Sequence, residues 1–394
     1  MRKEVFLPRI LLVHNAYQQK GGEDTVVEAE LALLRSRGHE VQTLFRHNDD
    51  LQALPRLTAL QQMFWSSRTR RDLAAAVADF RPDVIHVHNT FPLISPSLYW
   101  AADKAGVPVL QTLHNFRLHC PQAMYLRDGK VCEDCLGHVP WRGAVRGCYR
   151  GSKVQSAALA GMLTAHRALG TWQHKVTRYI ALNEFCRSKF IEGGLPAERI
   201  LIKPNFVDFE APESRERSGF LFVGRLSAEK GVATLAEACR LNPVAVRVAG
   251  SGPEADLLTD LPGVMCLGGL SGEQVRTEMS QAAALVLPSI WYENFPRTLV
   301  EAFGCGLPVI ASRIGALAEL IEDGVTGLLF EPGNAEDLAG KMRWAMANPE
   351  RMGEMGRAAR VRYEAHYTAE KNYEQLMAIY REAIAAKRME TMHA

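Results

Sequence analysis

Short apolar runs, each closed by a polar or glycine-containing turn and followed by a stretch of helical period, recur along the whole chain. In the first half the runs are Arg9-Ile-Leu-Leu-Val-His14, Glu40–Arg46, Val84–Asn89, Pro108–Asn115, Tyr179–Asn183 and Ile200–Lys203. The first of these is apolar without alternation, as expected of a strand buried on both faces. Between them the pattern predicts helices over 25–37, 71–80, 153–175 and 184–192. The same alternation restarts at residue 219, with strands within 219–224, 246–249, 265–267, 284–287, 308–312 and 327–330. The helix 297–304 joins two of these strands, and an amphipathic helix over 368–387 ends the pattern. Strand, helix, strand in so few residues describes a βαβ crossover, which requires a parallel sheet. Two such series predict an α/β protein made of two doubly wound, Rossmann-like domains, and 394 residues are too many for one ordinary core.

The divisions fall at 1–205, 206–367 and 368–394, with a Cys-rich insert at 116–150 and a polar, proline-containing linker at Glu210–Ser218. A composition of 47% hydrophobic and 23% charged residues is that of a soluble globular protein. No apolar run approaches the roughly 20 residues needed to span a bilayer, and Met1-Arg-Lys-Glu leads into a strand rather than a signal peptide. A cytoplasmic protein is expected. The net charge of +2 conceals an asymmetry: residues 1–205 carry 27 Lys and Arg against 18 Asp and Glu, whereas 206–394 carry 19 against 26. The basic half favours an anionic partner, and an inner-leaflet membrane surface bearing a lipid-linked acceptor is one candidate. Met63–Arg71, which mixes Phe64 and Trp65 with Arg68, Arg70 and Arg71, reads either as a solvated helix face or as a membrane-surface patch. Near-neutral total charge and the lack of an aromatic-basic array argue against nucleic acid.

The candidate chemistry concentrates in the second half. One strand delivers Arg225 at its carboxyl end, and Lys230 follows one loop later at a helix start. A planar fork and a movable point charge together suit a diphosphate. Farther on, Glu293 precedes the helix 297–304 and Glu301 lies eight residues later, about 12 Å along a helix. One extended ligand could touch both carboxylates, and the unpaired N–H groups around Asn294, Phe295 and Arg297 would favour its phosphate or hydroxyl oxygens. Val246–Ala249 ends in a glycine turn at Gly250, again on the ligand side of a sheet.

The first half offers weaker signals. Gly21 and Gly22 precede a helix and form either a loop that meets a ligand or a plain tight turn; they are not a dinucleotide fingerprint. His86 and His88 alternate onto one face of a strand without an evident third metal ligand, so hydrogen-bonded buried histidines are expected. Four of the eight cysteines, Cys120, Cys132, Cys135 and Cys148, fall within 29 residues with 11, 2 and 12 residues between them. That spacing permits a structural tetrathiolate zinc site; reduced thiols without metal are the alternative.

The stretches PSIWYENFPRTLVEAFGCGLPVIAS (288–312) and GALAELIEDGVTGLLFEPG (315–333), together with GRLSAEKG (224–231), closely resemble the donor site of retaining glycosyltransferases of family 4, also called glycosyl transferases group 1. The resemblance implies the GT-B fold, two Rossmann-like domains facing a central cleft, with the segment 368–394 packing back on the first domain. It implies transfer of a sugar from a nucleotide-diphosphate sugar to an acceptor with retention of configuration. Arg225 and Lys230 would hold the diphosphate, Glu301 the ribose, and Glu293 with Asn294 and Phe295 the sugar. His114, at the end of its strand, would lie near the reacting sugar carbon, and no cofactor is implied for catalysis. Polysaccharide assembly on a lipid-linked or growing saccharide is the expected setting, on the inner face of the membrane. A soluble small-molecule acceptor is the alternative, and from another class an idle nucleotide-sugar-binding or scaffolding subunit.

Overall fold

The apolar runs form two six-stranded, wholly parallel sheets. The computed structural model describes residues 6–19, 21–210 and 216–392, so part of the expected linker, 211–215, lies outside the described residues. The strands are β1 (Ile10–Ala16), β2 (Val41–His47), β3 (Val84–Asn89), β4 (Val109–Thr112), β5 (Leu126–Arg127), β6 (Lys130–Val131), β7 (Arg178–Ala181) and β8 (Ile200–Ile202) in the first half. The second half contributes β9 (Phe220–Val223), β10 (Val246–Ala249), β11 (Val264–Gly268), β12 (Ala284–Leu287), β13 (Val309–Ser312) and β14 (Gly327–Phe330). The orders are β2-β1-β3-β4-β7-β8 and β11-β10-β9-β12-β13-β14. Each order reverses once, between β1 and β3 in the first sheet and between β9 and β12 in the second. Doubly wound sheets bind ligands beyond the carboxyl ends of the strands at that reversal.

The chain divides into two compact units. One comprises Met1–Ala123, Glu133–Lys203 and Asn372–Ala394; the other comprises Met124–Cys132 and Pro204–Lys371. The segment from Asn372 on joins the first unit, and the division departs from the sequence boundaries inside the Cys-rich insert. The small antiparallel hairpin of β5 and β6, inside the Cys-rich insert, goes with the second unit, where Tyr125 meets Tyr292 edge to face with ring centres 6.2 Å apart. Two-residue strands carry no readable period, so the hairpin left no trace in the hydrophobic pattern.

In the first unit, Ile10, Leu12, Val84, Leu110 and Ile180 pack with Leu376, Met377, Tyr380 and Ala383 of the closing helix Ala369–Met392. The apolar face of that helix is therefore part of the first unit's core rather than a separate element. The second unit packs Phe220, Phe222, Val246, Val248, Val286, Ile310 and Phe330 against Leu235, Cys239, Leu338 and Met342. The helix expected over 153–175 is two helices, Lys153–Ala168 and Thr171–His174. Gly170 separates them with a left-handed φ of +67°, and a Cβ there would lie 2.6 Å from the His174 ring. Glycine accepts this backbone at little cost, which is why the helix stops there.

Candidate functional site

In the second unit the four expected donor residues lie on the segments that follow β9 and β12. Leaving β9, the chain places Arg225 with most of its side chain exposed, followed by a short turn in which Ser227 Oγ donates to Glu229 Oε1 at 2.7 Å. Arg225 pairs with the same carboxylate. Burial works against an ionised Glu229, but the Ser227 hydrogen bond and the Arg225 guanidinium outweigh it and hold its carboxyl below the usual range. Glu229 was not singled out in the sequence; its signal is the i, i+4 spacing from Arg225.

Lys230 stands one residue on, with Nζ 2.6 Å from Glu293 Oε1 and 5.5 Å from the centre of the Trp291 ring. Ser289, at the end of β12, donates to the same Glu293 oxygen at 2.8 Å. Two elements distant in sequence thus clasp one buried carboxylate, and they do so at the sheet reversal. Glu301, in the helix Arg297–Gly304, is buried and accepts from Arg297 Nε at 3.0 Å. Asn294 and Phe295 are buried too, and the Phe295 ring packs against Tyr367 at 5.9 Å between centres. Phe295 can therefore offer a ligand its backbone but little of its ring. At Gly250 a Cβ would lie 1.8 Å from the Gly224 carbonyl oxygen, so only glycine lets the β10 turn pass the end of β9.

The first unit gathers a second polar group at its own reversal. His114 lies just beyond β4 and its Nε2 is 2.8 Å from His88 Nδ1 at the end of β3. A cavity of about 50 Å³ is lined by both histidines and by Asn89, Gln111, Thr112, Asn115 and Arg117. Beside it Tyr17 donates to Glu23 Oε2 at 3.0 Å, while Glu23 Oε1 is buried without a partner. Burial pushes the Glu23 carboxyl up to about 8 despite the hydrogen bond from Tyr17. The glycines before this helix are less open than the sequence allowed. Gly21 N donates to Asp24 Oδ2 at 2.8 Å, closing a helix-start turn, and Gly22 begins the helix Gly22–Ser36 itself. Of the two, Gly22 alone has open space around it.

One further expectation changes. His86 and His88 do acquire a third potential ligand, Glu30, and these three are the group of metal-ligating side chains that converges within 4.8 Å among the described residues. Cys132 follows the hairpin in the second unit, while Cys120, Cys135 and Cys148 belong to the first. Trp65 packs within the first unit. Its ring stacks on His166 at 6.1 Å and a 5° interplanar angle, and the Arg70 guanidinium covers it at 5.5 Å. Among the described residues, no helix is long and apolar enough to cross a membrane.

Against known proteins, residues 206–362 match the family described as glycosyl transferases group 1, and residues 21–205 match the glycosyl transferase 4-like domain. The chain is 26% identical over 305 residues to the sulfoquinovosyl transferase SQD2 of Arabidopsis thaliana, covering 75% of this chain and 56% of that protein. It thus spans about half the length of that relative. Among solved structures it resembles a sucrose-phosphate synthase of Thermosynechococcus elongatus, with a TM-score of 0.69 at 20% identity over 96% of this chain and 100% of the other. It also resembles HepE of Anabaena in complex with UDP-glucose, with a TM-score of 0.67 at 18% identity over 95% and 100% of the two chains. These likenesses establish the fold as GT-B.

Proposed function

The chain belongs to the group 1, family 4-type glycosyltransferases, and from that premise we propose that it transfers a sugar from a nucleotide-diphosphate sugar to a saccharide acceptor with retention of configuration. The observation that carries the proposal is the pairing of Lys230 and Ser289 on buried Glu293 at the reversal of the second sheet, with Arg225 beside them. A nucleotide sugar laid along the start of the helix Arg297–Gly304 would place its diphosphate against Arg225 and Lys230. Its ribose hydroxyls would meet Glu301, and its sugar hydroxyls Glu293. In the transfer the bond from the anomeric carbon to the diphosphate oxygen breaks, and the acceptor oxygen bonds the same face of that carbon. The acceptor's proton leaves with the phosphate oxygen. Two fixed cations stabilise the charge that builds on the leaving diphosphate. HepE was captured with UDP-glucose, which supports a uridine diphosphate donor as the first to try.

A screen of UDP- and GDP-sugars for thermal stabilisation and slow hydrolysis tests the reading. Stabilisation by none of them, with no hydrolysis, would favour an idle or scaffolding subunit. The ribose assignment has its own test. Glu301→Ala should weaken nucleotide diphosphate binding by about 1–3 kcal/mol, roughly 5- to 150-fold in Kd, because it removes a buried acceptor. Calorimetry giving an unchanged Kd would place the ribose elsewhere.

No metal is given a part in the reaction. For Cys120, Cys132, Cys135 and Cys148 the proposal is structural alone, on the strength of their spacing. Chain purified without chelator should carry about one equivalent of zinc by elemental analysis, and its absence leaves four thiols without an assigned purpose.

A further inference from the structure

Behind His114 runs a line of buried ionisable groups that the transfer step does not use. The His114 and His88 rings stack with centres 5.1 Å apart, and one short contact joins them, Nε2 to Nδ1 at 2.8 Å. The other nitrogen of His88, Nε2, lies 3.2 Å from Glu30 Oε1, at ion-pair distance but without hydrogen-bond alignment. The second oxygen of Glu30 is 3.2 Å from Lys203 Nζ, which also donates to Asn372 Oδ1 at 3.1 Å. His86 closes the group, with Nδ1 2.9 Å from Glu30 Oε1 and Nε2 2.8 Å from Thr112 Oγ1. Glu30, Lys203, His86 and His88 expose 3% of their surface or less.

Three converging ligands raise the question of a metal, and the structure answers it through Lys203. A divalent cation among Glu30, His86 and His88 would face an ammonium that already neutralises the same carboxylate from 3.2 Å. The chain supplies the positive charge that Glu30 requires, so the group is a closed ion pair with two histidines on it.

That ion pair dictates where the protons sit. Two nitrogens 2.8 Å apart share one proton. If His88 supplied it from Nδ1, its bare Nε2 would turn a lone pair toward a carboxylate oxygen in a dry interior, an unfavourable contact. If His88 carried both protons it would be a cation, which burial, reinforced by the neighbouring His86, opposes by lowering its pKa to about 4. The remaining arrangement has the His88 proton on Nε2, facing Glu30. Its Nδ1 is then an acceptor, and His114 must donate from Nε2.

We propose that Glu30 and His88 are positioning residues that hold His114 as its neutral Nε2–H tautomer, leaving Nδ1 as an acceptor for a hydroxyl of the sugar substrate. The hydroxyl rests on the glycosyltransferase reading; the tautomer does not. The hydrogen bond made by one ring nitrogen sets the state of the other, and here that control reaches back through His88 to a carboxylate on the helix Gly22–Ser36. Part of His114 remains open, and the residue lines the small cavity of the first unit. The groups that face it are His14, His86 and His88, which like its burial disfavour a charge on His114, and Glu30, which favours one. Burial and His88 dominate, and the pKa of His114 falls well below the ordinary histidine value. His114 is thereby suited to receive a hydroxyl hydrogen and unsuited to bind a phosphate as a cation.

The test reads the tautomer directly, in full-length chain labelled with ¹⁵N at both histidine ring nitrogens. Long-range ¹H–¹⁵N correlation, with the His114 signals identified by their loss in His114→Gln, should show a protonated Nε2 and a bare Nδ1, unchanged from pH 6 to 8. His88→Asn keeps a polar group near His114 but is too short to reach Glu30. In this variant the two His114 nitrogen signals should move toward each other. Its kcat should fall about 10- to 100-fold, with donor KM within about twofold, as expected for lost orientation rather than lost binding. Should His88→Asn fold poorly, Glu30→Gln combined with Lys203→Met keeps the group neutral and should release the tautomer in the same way. A proton on His114 Nδ1, a charged His114 in that pH range, or a His88→Asn spectrum identical to the parent's would overturn the proposal. So would Zn²⁺ shifting the His86 and His88 signals at stoichiometric amounts, since it would make the group a metal site. Absence of transfer from every nucleotide sugar would instead overturn the reaction, with the tautomer still decided by the spectra.

Discussion

Lys230→Ala is expected to lower kcat at least about 100-fold, equivalent to about 2.7 kcal/mol of transition-state stabilisation, while the protein remains folded. The ammonium holds Glu293 at 2.6 Å and lies at the start of a helix in the second unit, where a donor diphosphate would meet it. Charge on that diphosphate grows as the anomeric bond breaks, so a fixed cation gains more in the transition state than in the bound substrate. Removing it also leaves Glu293 buried with Ser289 as its remaining neutral donor. The loss should therefore fall on turnover more than on nucleotide affinity. Arg225→Ala should lose turnover by a similar factor, but with less disturbance of its neighbours, because Ser227 still satisfies Glu229. Steady-state rates with the donor found by the screen provide the measurement. Near-parental turnover for either variant would remove the diphosphate assignment.

Much of this arrangement was legible in the chain, for a physical reason that particular residues make clear. Strands buried on both faces must be largely apolar, so β1, β9, β12 and β13 announce themselves, and with them the residues at their carboxyl ends. Arg225 is read in that way, since a polar residue placed directly after an apolar run has few places to go but the sheet's ligand edge; Glu293 is marked by its spacing from Glu301, and His114 by the family resemblance. What stayed hidden are polar residues whose partners lie far away in sequence. Glu30 sits in a helix that carries several other acids and reads there as solvated; its burial follows from His86 and from Lys203, 173 residues on. Lys203 read as the end of a strand, and nothing local says that its ammonium is enclosed. The closing helix showed its apolar stripe through Leu376, Tyr380 and Ala383; periodicity does not name the surface that covers it, and the family resemblance is what pointed to the first domain. Gly170 and the Arg225–Glu229 spacing were overlooked local signals, the first a glycine that ends a helix in the middle of an otherwise continuous pattern.

The same hidden pair yields the largest expected effect on stability. Lys203→Met should destabilise the first unit by about 3–5 kcal/mol at pH 7, because it leaves the Glu30 carboxylate buried without its cation. Glu30 and Lys203 each expose 1% of their surface, and the ammonium is 3.2 Å from the carboxylate, so water cannot take its place without opening the core. Adding Glu30→Gln to Lys203→Met should recover most of the loss, since it removes the charge that had become unpaired. The pH dependence follows from Glu30. Burial opposes its ionised form, but Lys203 and His86 prevail and hold its carboxyl well below the usual range. A carboxyl depressed by folding stabilises above its unfolded pKa of about 4.3, and the contribution is lost as pH falls through the folded value. Parent protein should therefore keep this part of its stability from neutral pH down to about 5 and lose it below, whereas the double variant should show a flatter acid limb. Urea unfolding followed by tryptophan fluorescence at several pH values gives both comparisons. A single Lys203→Met variant as stable as the parent would mean that the pair is solvated, and a double variant no better than the single would mean that Lys203 acts by packing rather than by charge.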